Sequence, residues 1–249
     1  MTARFPRGFF VKTPAPQHIE ILAGTGADFA VVDAEHAPFD RADLNLMILA
    51  GRAAGMPVLV RVLDRTSGSI LTSLDLGATG IVVPHVDSLE IAREVVGYAR
   101  YRGGLRGYSS APRHAGYGTM RMADVLTEAD RALVIVQLEH PSAVAEAGQI
   151  LNLDGIDGVL IGRADLALSM GEESTAVPSV EEAVREIFAQ TASSKKIKGV
   201  VVSSSAEAAR YASHGANWFI MGNDQGLLRS AAAHVLAEPI DVEVLLDAR

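Results

Sequence analysis

The chain has 249 residues, of which 49% are hydrophobic, and its formal net charge at pH 7 is −8. This composition supplies a sizeable apolar core and excludes an intrinsically disordered chain, while the acidic balance argues against a nucleic-acid-binding protein. The absence of cysteine excludes disulfides and thiol catalysis. Because the N-terminus lacks the apolar stretch of a secretory signal and no apolar run is long enough to cross a membrane, we expect a cytoplasmic protein.

Short apolar segments alternate with helix-like segments along the chain. The apolar segments predict eight strands, at residues 9–12, 28–33, 57–62, 80–83, 133–138, 158–161, 199–202 and 218–221. The intervening segments predict helices at 14–23, 40–54, 67–76, 88–100, 142–151, 180–193, 205–214 and 224–236, with a short helix within 162–170. Eight such units in one chain of this length favour a single-domain (β/α)₈ TIM barrel over residues 1–249, and a doubly wound open sheet is the alternative.

Two segments depart from this alternation. Residues 101–122 are rich in Gly, Ser, Arg and Tyr and predict a long loop, which in a compact domain is usually a functional lid or binding loop. The tail beyond Pro239 contains several apolar residues and is expected to dock on another surface, for which a neighbouring subunit is a candidate.

The stretch DFAVVDAEHAPF, residues 28–39, joins a buried strand to a cluster of ionisable groups. The apolar run stops at Asp33, Glu35 and His36. In parallel α/β proteins, active sites collect at the carboxyl ends of the strands. His36 is therefore a candidate general base, which Asp33, Glu35 or Asp75 would orient. The alternative is a histidine that only forms hydrogen bonds at the rim.

A second pair of polar side chains interrupts the fifth predicted strand, which reads VIVQLEH. Gln137 and Glu139 share one face because side chains alternate along a strand. Carboxylate oxygens are the ligands that Mg²⁺-like ions prefer, and such an ion usually takes one or two carboxylates plus water and substrate. Glu139 and Asp165 would supply that site. The alternative is that Glu139 pairs with a lysine or arginine at the rim.

The third predicted strand, PVLVRV, carries Arg61 near its end. An unpaired guanidinium is improbable there, so an anionic substrate group is one natural partner, and an internal salt bridge with Asp33 or Asp75 is the other. Lys12 is the only lysine at a predicted strand end, which argues against covalent imine chemistry.

The segments that carry these residues are DFAVVDAEHAPFD, PVLVRV, SLDLGATGIVVPHVDS, YRGGLRGYS, VIVQLEHPSAV and DGVLIGRADLALSMG. Together they resemble the HpcH/HpaI aldolase family of class II, metal-dependent pyruvate-type aldolases, over nearly the whole chain. The resemblance implies a modified (β/α)₈ barrel that assembles as a homohexamer, a trimer of dimers with exchanged C-terminal helices. Such an exchange would give the apolar tail its partner.

The resemblance also implies a role for each matched residue. Glu139 and Asp165 match the ligands of a Mg²⁺, Mn²⁺ or Co²⁺ ion that also chelates a 2-oxo acid, and Gln137 would lie near the carboxylate of that acid. Arg61 matches the arginine that stabilises the enolate and carbonyl oxygen. His36 matches the acid/base histidine.

Asp75 matches an aspartate that pairs with this histidine, within the chain or across a subunit boundary. The backbone N–H groups from Gly162 through Arg163 and Ala164 to Asp165 would bind the substrate carboxylate. One residue departs from the pattern, because the family commonly reads GPADL and this chain has arginine at position 163. The extra cation would bind a second carboxylate or simply be solvated.

The resemblance implies an aldolase that reversibly joins or cleaves a 2-oxo acid, pyruvate or hydroxypyruvate, and an aldehyde through a metal-stabilised enolate. The alternative enzyme keeps the site but acts on oxaloacetate, as a citrate-synthase-like or decarboxylating relative. A metabolite-binding barrel without activity would need vestigial acid/base residues, whereas His36, Arg61, Glu139 and Asp165 are all present.

Overall fold

The computed structural model describes residues 4–237, which form a closed barrel of eight parallel strands in sequential order. Neighbouring strands pair from first to second and onward, and the eighth closes the barrel by pairing with the first. The (β/α)₈ barrel is therefore confirmed, and the open sheet is wrong. The strands are β1 Arg7–Val11, β2 Phe29–Asp33, β3 Val58–Arg61, β4 Gly80–Val83, β5 Leu133–Leu138, β6 Gly158–Ile161, β7 Ile197–Val201 and β8 Trp218–Asn223.

Within residues 4–237, ten helices surround the strands. They are α1 Pro16–Gly24, α2 Arg41–Ala54, α3 Ser67–Asp75, α4 Leu89–Ala99, α5 Met122–Ala129, α6 Pro141–Asn152, α7 Arg163–Ser169, α8 Pro178–Gln190, α9 Ser205–Ser213 and α10 Asp224–Ala237. Side-chain oxygens fix several of their starts. Asp40 accepts from two backbone N–H groups in a capping box at α2, and Ser88 caps α4.

The segment 101–122 is more ordered than its composition predicts. A 3-10 helix spans Arg113–Gly118, and α5 begins at Met122, in a region for which we predicted no helix. The α5 segment is only eight residues long, so its apolar positions, among them the buried Val125 and Ala129, give too few repeats to reveal a helical period.

Inward-facing apolar side chains fill the barrel. Phe29 and Trp218 stack with ring centroids 4.0 Å apart near the amino end. Alternate residues along β2, β3 and β5 face inward. On each of these strands, the polar residue two positions after the last inward-facing apolar residue therefore points inward as well. The residues of this inner cluster are Phe10, Phe29, Val31, Leu59, Val82, Ile135, Leu160, Trp218 and Ile220.

The last helix, α10, is almost entirely exposed, with Leu228 and Leu236 among its exposed apolar side chains. The tail beyond Pro239 and its predicted exchange between subunits lie outside the described residues. Among residues 4–237, no helix has the length and apolarity needed to span a membrane.

Candidate active site

The barrel opens at the carboxyl ends of its strands into a cavity of about 440 Å³. Seven residues predicted from the sequence line it. These are His36, Arg61, Gln137, Gly162, Arg163, Ala164 and Asp165. Glu139 lies beneath them, in contact with Gln137. The structure therefore brings together eight of the nine predicted site residues.

Arg61 and Asp33 form a buried, bidentate ion pair. They are register partners on β3 and β2, so their side chains point inward side by side. Arg61 Nε and Nη2 donate to the two Asp33 oxygens at 2.9 and 2.7 Å, and the guanidinium lies 4.6 Å above the Phe10 ring. Although burial opposes ionisation of Asp33, hydrogen bonds and charge from Arg61 and Lys12 hold its pKa below the usual value. This internal salt bridge is one of the two partners expected for Arg61.

Glu35 links this pair to the histidines of the rim. Its Oε2 lies 3.2 Å from Arg61 Nη1 and 3.7 Å from His36 Nε2. The His36 side chain is 51% exposed, and its backbone N–H donates to Asp33 Oδ1 at 3.2 Å. Asp33 therefore fixes the backbone of His36, while Glu35 is the carboxylate next to its ring. This leaves the imidazole accessible from the cavity.

Glu139 is buried at the end of β5 with polar partners on both oxygens. Gln137 Nε2 donates to Oε2, while the backbone N–H of His85 donates to Oε1 at 2.6 Å. Burial raises the pKa of Glu139, and the nearby charge of Asp165 raises it further. Within residues 4–237 neither a lysine nor an arginine pairs with Glu139, so the alternative of a rim salt bridge does not apply to this carboxylate.

The donors present fit a hard divalent cation. Burial raises the pKa of the Glu139 carboxyl and the charge of Asp165 adds to this, and a cation held by both carboxylates would relieve that repulsion. No three His, Asp or Glu side chains among the described residues are grouped to hold an ion alone. The protein would supply two ligands, and water and substrate the rest, which is the usual arrangement for Mg²⁺.

His85 is a site residue that sequence reasoning missed. Its Nδ1 lies 3.1 Å from Glu139 Oε1, and its Nε2 lies 3.1 Å from Glu35 Oε1, so the ring bridges the two carboxylates. His85 adopts a left-handed conformation with φ +55°, which is uncommon for a non-glycine residue and often marks a functional site. The only sequence signal was its place directly after β4 and Pro84.

These contacts connect six side chains in a line across the barrel mouth, which we call the charged arc. In order, it runs through Lys12, Asp33, Arg61, Glu35, His85 and Glu139.

The side chain of Arg163 is held by its own chain. Its Nη2 donates to the carbonyl of Val201 at 2.8 Å and lies 2.8 Å from Glu207 Oε1, and its Nη1 donates to the hydroxyl of Tyr211 at 2.8 Å. Burial and a hydrogen bond to Glu181 raise the pKa of Tyr211 to about 12, so the phenol stays neutral. Nη1 and Nη2 of the guanidinium are therefore both paired within the chain, whereas we predicted that Arg163 binds a second carboxylate or is solvated.

Asp75 lies away from the other site residues. It ends α3, which returns the chain to the start of β4, so it lies at the amino end of the barrel. Its Oδ1 accepts from Arg106 at 2.8 Å and lies 3.5 Å from His114 Nδ1. A pair between Asp75 and His36 within one chain is therefore wrong, while a pair across a subunit boundary stays a prediction.

Gly162 is the point where α7 approaches the β5 carboxylate most closely. A Cβ atom at this position would lie 2.7 Å from Glu139 Oε2 and 2.9 Å from Gln137 Nε2. We expect Gly162→Ala to displace both side chains and to reduce turnover about 10-fold or more, since outer contacts of metal ligands carry effects of that size. Unchanged turnover in Gly162→Ala would contradict this tight packing, and Gly24→Ala, where an added Cβ meets no atom within 4 Å, is the control.

Fold and site together define a TIM-barrel enzyme with carboxylates, an arginine and a histidine at the catalytic end of the barrel. The sequence profile of the HpcH/HpaI aldolase/citrate lyase family matches residues 7–231. The chain belongs to this family of aldolases and citrate lyases.

Three known proteins are similar to this chain in sequence or in fold. It is 33% identical to a 5-keto-4-deoxy-D-glucarate aldolase from Klebsiella pneumoniae, over 87% of this chain and 85% of that protein. The crystal structure of the citrate synthase SbnG superposes with a TM-score of 0.84 at 30% identity, covering 94% and 92% of the two chains. A citrate lyase β subunit from M. tuberculosis, complexed with oxaloacetate and magnesium, has a TM-score of 0.59, 16% identity and coverage of 88% and 91%, and shares the fold alone.

Proposed function

We propose that this protein is a divalent-cation-dependent aldolase that reversibly joins and cleaves a 2-oxo acid and an aldehyde. The observation that carries this proposal is the meeting of two carboxylates, Glu139 and Asp165, with Arg61 and His36 around one cavity. This arrangement suits a reaction that builds negative charge on a keto oxygen and moves a proton nearby.

Glu139 and Asp165 would hold the cation, which we infer to be Mg²⁺, Mn²⁺ or Co²⁺. When bound, such an ion acts as a Lewis acid that stabilises negative charge on the keto oxygen of the substrate. A citrate lyase β subunit of the same fold has been solved with magnesium. The present proposal rests on the two carboxylates of this chain.

Arg61 has the geometry of a preorganised cation. Asp33 holds its Nε and Nη2, while Nη1 lies 3.5 Å from Gln137 Oε1 and 3.2 Å from Glu35, at the cavity wall. A guanidinium fixed in this way costs little to reorganise as charge develops on a substrate oxygen. We propose that Nη1 turns to that oxygen in the complex.

His36 would move the proton of the aldol hydroxyl. Its imidazole is accessible, and Glu35 lies beside Nε2 at 3.7 Å, so a carboxylate is in place to orient the ring. During cleavage His36 accepts the hydroxyl proton as the carbon–carbon bond breaks, and the enolate that is released takes up a proton from water at carbon to give the 2-oxo acid. During synthesis that carbon first loses its proton to water, and His36 gives a proton to the new alkoxide. The backbone N–H groups from Gly162 to Asp165, with Gln137, would hold the carboxylate of the 2-oxo acid.

The donor is proposed to be pyruvate or hydroxypyruvate, in keeping with the 33% identity to 5-keto-4-deoxy-D-glucarate aldolase. Similarity to the citrate synthase SbnG supports the alternative, a reaction of oxaloacetate. That alternative gains nothing from Arg163, because its guanidinium is already bound to Glu207, Tyr211 and the Val201 carbonyl.

The test is aldol synthesis and cleavage with purified protein. Pyruvate or hydroxypyruvate is supplied with an aldehyde and Mg²⁺, Mn²⁺ or Co²⁺, and the product is identified by mass spectrometry. Formation of the aldol product supports the proposal. Oxaloacetate consumption without any aldol product would favour the alternative enzyme.

We expect no imine between a lysine and the substrate. Lys12 is the lysine among the described residues that line the cavity, and its Nζ is held in an ion pair 3.0 Å from the buried Asp33 carboxylate. Borohydride added with pyruvate should leave the protein mass unchanged. A stable adduct on Lys12 would assign the enzyme to the covalent class of aldolases.

The assembly and compartment are proposals as well. We infer a cytoplasmic homohexamer, a trimer of dimers, in which the exposed apolar face of α10, including Leu228 and Leu236, meets another subunit. Light scattering of the purified full chain measures the oligomeric state directly. A monomer would contradict this assembly.

A further inference from the structure

The cavity is larger than the 2-oxo acid requires. A three-carbon acid bound at Glu139 and Asp165 fills only part of about 440 Å³, a volume within the range that holds drug-sized ligands. The rest of the space lies against the ends of other strands. Polar side chains there include Lys12 after β1, Ser203 after β7 and Asn223 at the end of β8. This half of the cavity is available to the aldehyde.

The order of strands sets the direction in which the aldehyde extends. Its reacting carbon must lie near Arg61, the last residue of β3, and near His36, which follows β2. The neighbours of β2 on the side away from β3 are β1 and then β8, because β8 closes the barrel against β1. The remainder of the aldehyde therefore reaches the ends of β1 and β8, where Lys12 lies.

Lys12 has hydrogen-bonding capacity to spare. Lys12 Nζ lies 3.0 Å from Asp33 Oδ2, its ion-pair partner among the described residues. The Lys12 side chain is 24% exposed. The same Asp33 carboxylate already accepts two hydrogen bonds from Arg61. An ammonium has three N–H donors, so two remain for a ligand in the cavity.

Lys12 and Arg61 line this part of the cavity, whereas the carboxylates that contact them, Asp33 and Glu35, do not line it. Among the described lining residues, the only carboxylate is Asp165, on the opposite side with Glu139. The second cation expected at the mouth, Arg163, is bound to Glu207 and Tyr211. Lys12 is thus the cation that faces the acceptor half of the cavity.

We propose that Lys12 is a specificity-determining residue that binds a carboxylate at the far end of the acceptor aldehyde. This inference rests on the proposed aldolase function and assigns a substrate-binding role to a residue that the sequence reasoning considered only as an imine former. The preferred acceptors are aldehydes that carry an acid group, and the aldol product is a dicarboxylate.

The experiment compares two acceptors of equal chain length, an ω-aldehydo acid and the corresponding ω-hydroxy aldehyde, in synthesis with pyruvate and Mn²⁺. Wild-type protein, Lys12→Met and Lys12→Arg are measured with both. We expect Lys12→Met to raise the KM for the acid about 10- to 100-fold more than the KM for the neutral aldehyde, which is the usual worth of a hydrogen bond to a charged group. Lys12→Arg should recover most of that preference.

The paired acceptors separate binding from structural damage. If Lys12 serves only to neutralise Asp33, Lys12→Met will weaken the reaction of both acceptors by the same factor, and this result overturns the proposal. An equal loss of preference in Lys12→Met and Lys12→Arg also overturns it. If wild-type protein forms no aldol product with any acceptor, the proposed aldolase function is wrong. That result differs from an equal weakening of both reactions in Lys12→Met.

Discussion

Glu139→Gln should abolish cation-dependent turnover and weaken Mn²⁺ binding by more than 100-fold. Glu139 is buried at the end of β5, its pKa is raised by burial and by Asp165, and a cation is the group that best stabilises its charge there. Loss of an outer partner of a metal ligand typically costs about 10- to 100-fold in affinity, and loss of the ligand itself should exceed that range. Calorimetry measures the binding independently of activity.

Glu173→Gln provides the control, because this exposed glutamate lies in the loop after α7 and carries the same change of charge. It should bind Mn²⁺ as the wild type does. Full turnover of Glu139→Gln, or full wild-type activity in excess EDTA, would contradict a cation site at this carboxylate.

The raised pKa of Glu139 also predicts how the Mn²⁺ affinity changes with pH. The cation binds the ionised carboxylate, so protons compete with it as the pH falls. Because the pKa is raised, this competition begins at a higher pH than for an ordinary glutamate. Mn²⁺ affinity should therefore decrease from neutral toward acidic pH before exposed carboxylates titrate.

His36→Ala should lower kcat for aldol cleavage by about 10²- to 10⁴-fold, the usual worth of a positioned proton-transfer group. The side chain is 51% exposed and packs little, so the variant should fold normally. Mn²⁺ affinity should be retained, because one proposed ligand directly follows β5 and the other lies on α7. Steady-state cleavage kinetics, with calorimetry for the ion, distinguish a lost base from a lost cation.

His214→Ala is the matched control, since this exposed histidine follows α9 at the amino end of the barrel. It should have wild-type kcat. If His36→Ala also has wild-type kcat, His36 is only a rim residue, and Arg61 with the cation is left as the catalytic core.

The barrel was predictable because its signals are local and repeated. Each strand is a short β-branched run, and each of eight units repeats the same pattern, so errors of one or two residues at the ends do not change the topology. Period-two alternation also predicted that Gln137 and Glu139 share a face. Both side chains are buried and in contact.

The contacts between distant residues were not predictable in the same way. His85 meets Glu139 from 54 positions away through a left-handed backbone conformation, and neither feature is encoded by a local pattern. The partners of Arg163 lie on β7 and α9, so the sequence showed an extra cation without showing what binds it. Asp75 is different, because the predicted length of its helix already places it at the amino end of the barrel.

The charged arc has a consequence for how this site can be re-engineered. Each of its members, from Lys12 to Glu139, contacts the next, so the free-energy change of one substitution depends on its neighbours. Removing one partner of a buried ion pair leaves an uncompensated charge, whereas exchanging both can preserve neutrality. Viable routes to a new specificity therefore pass through coupled double substitutions, and libraries that vary one arc position at a time will miss them.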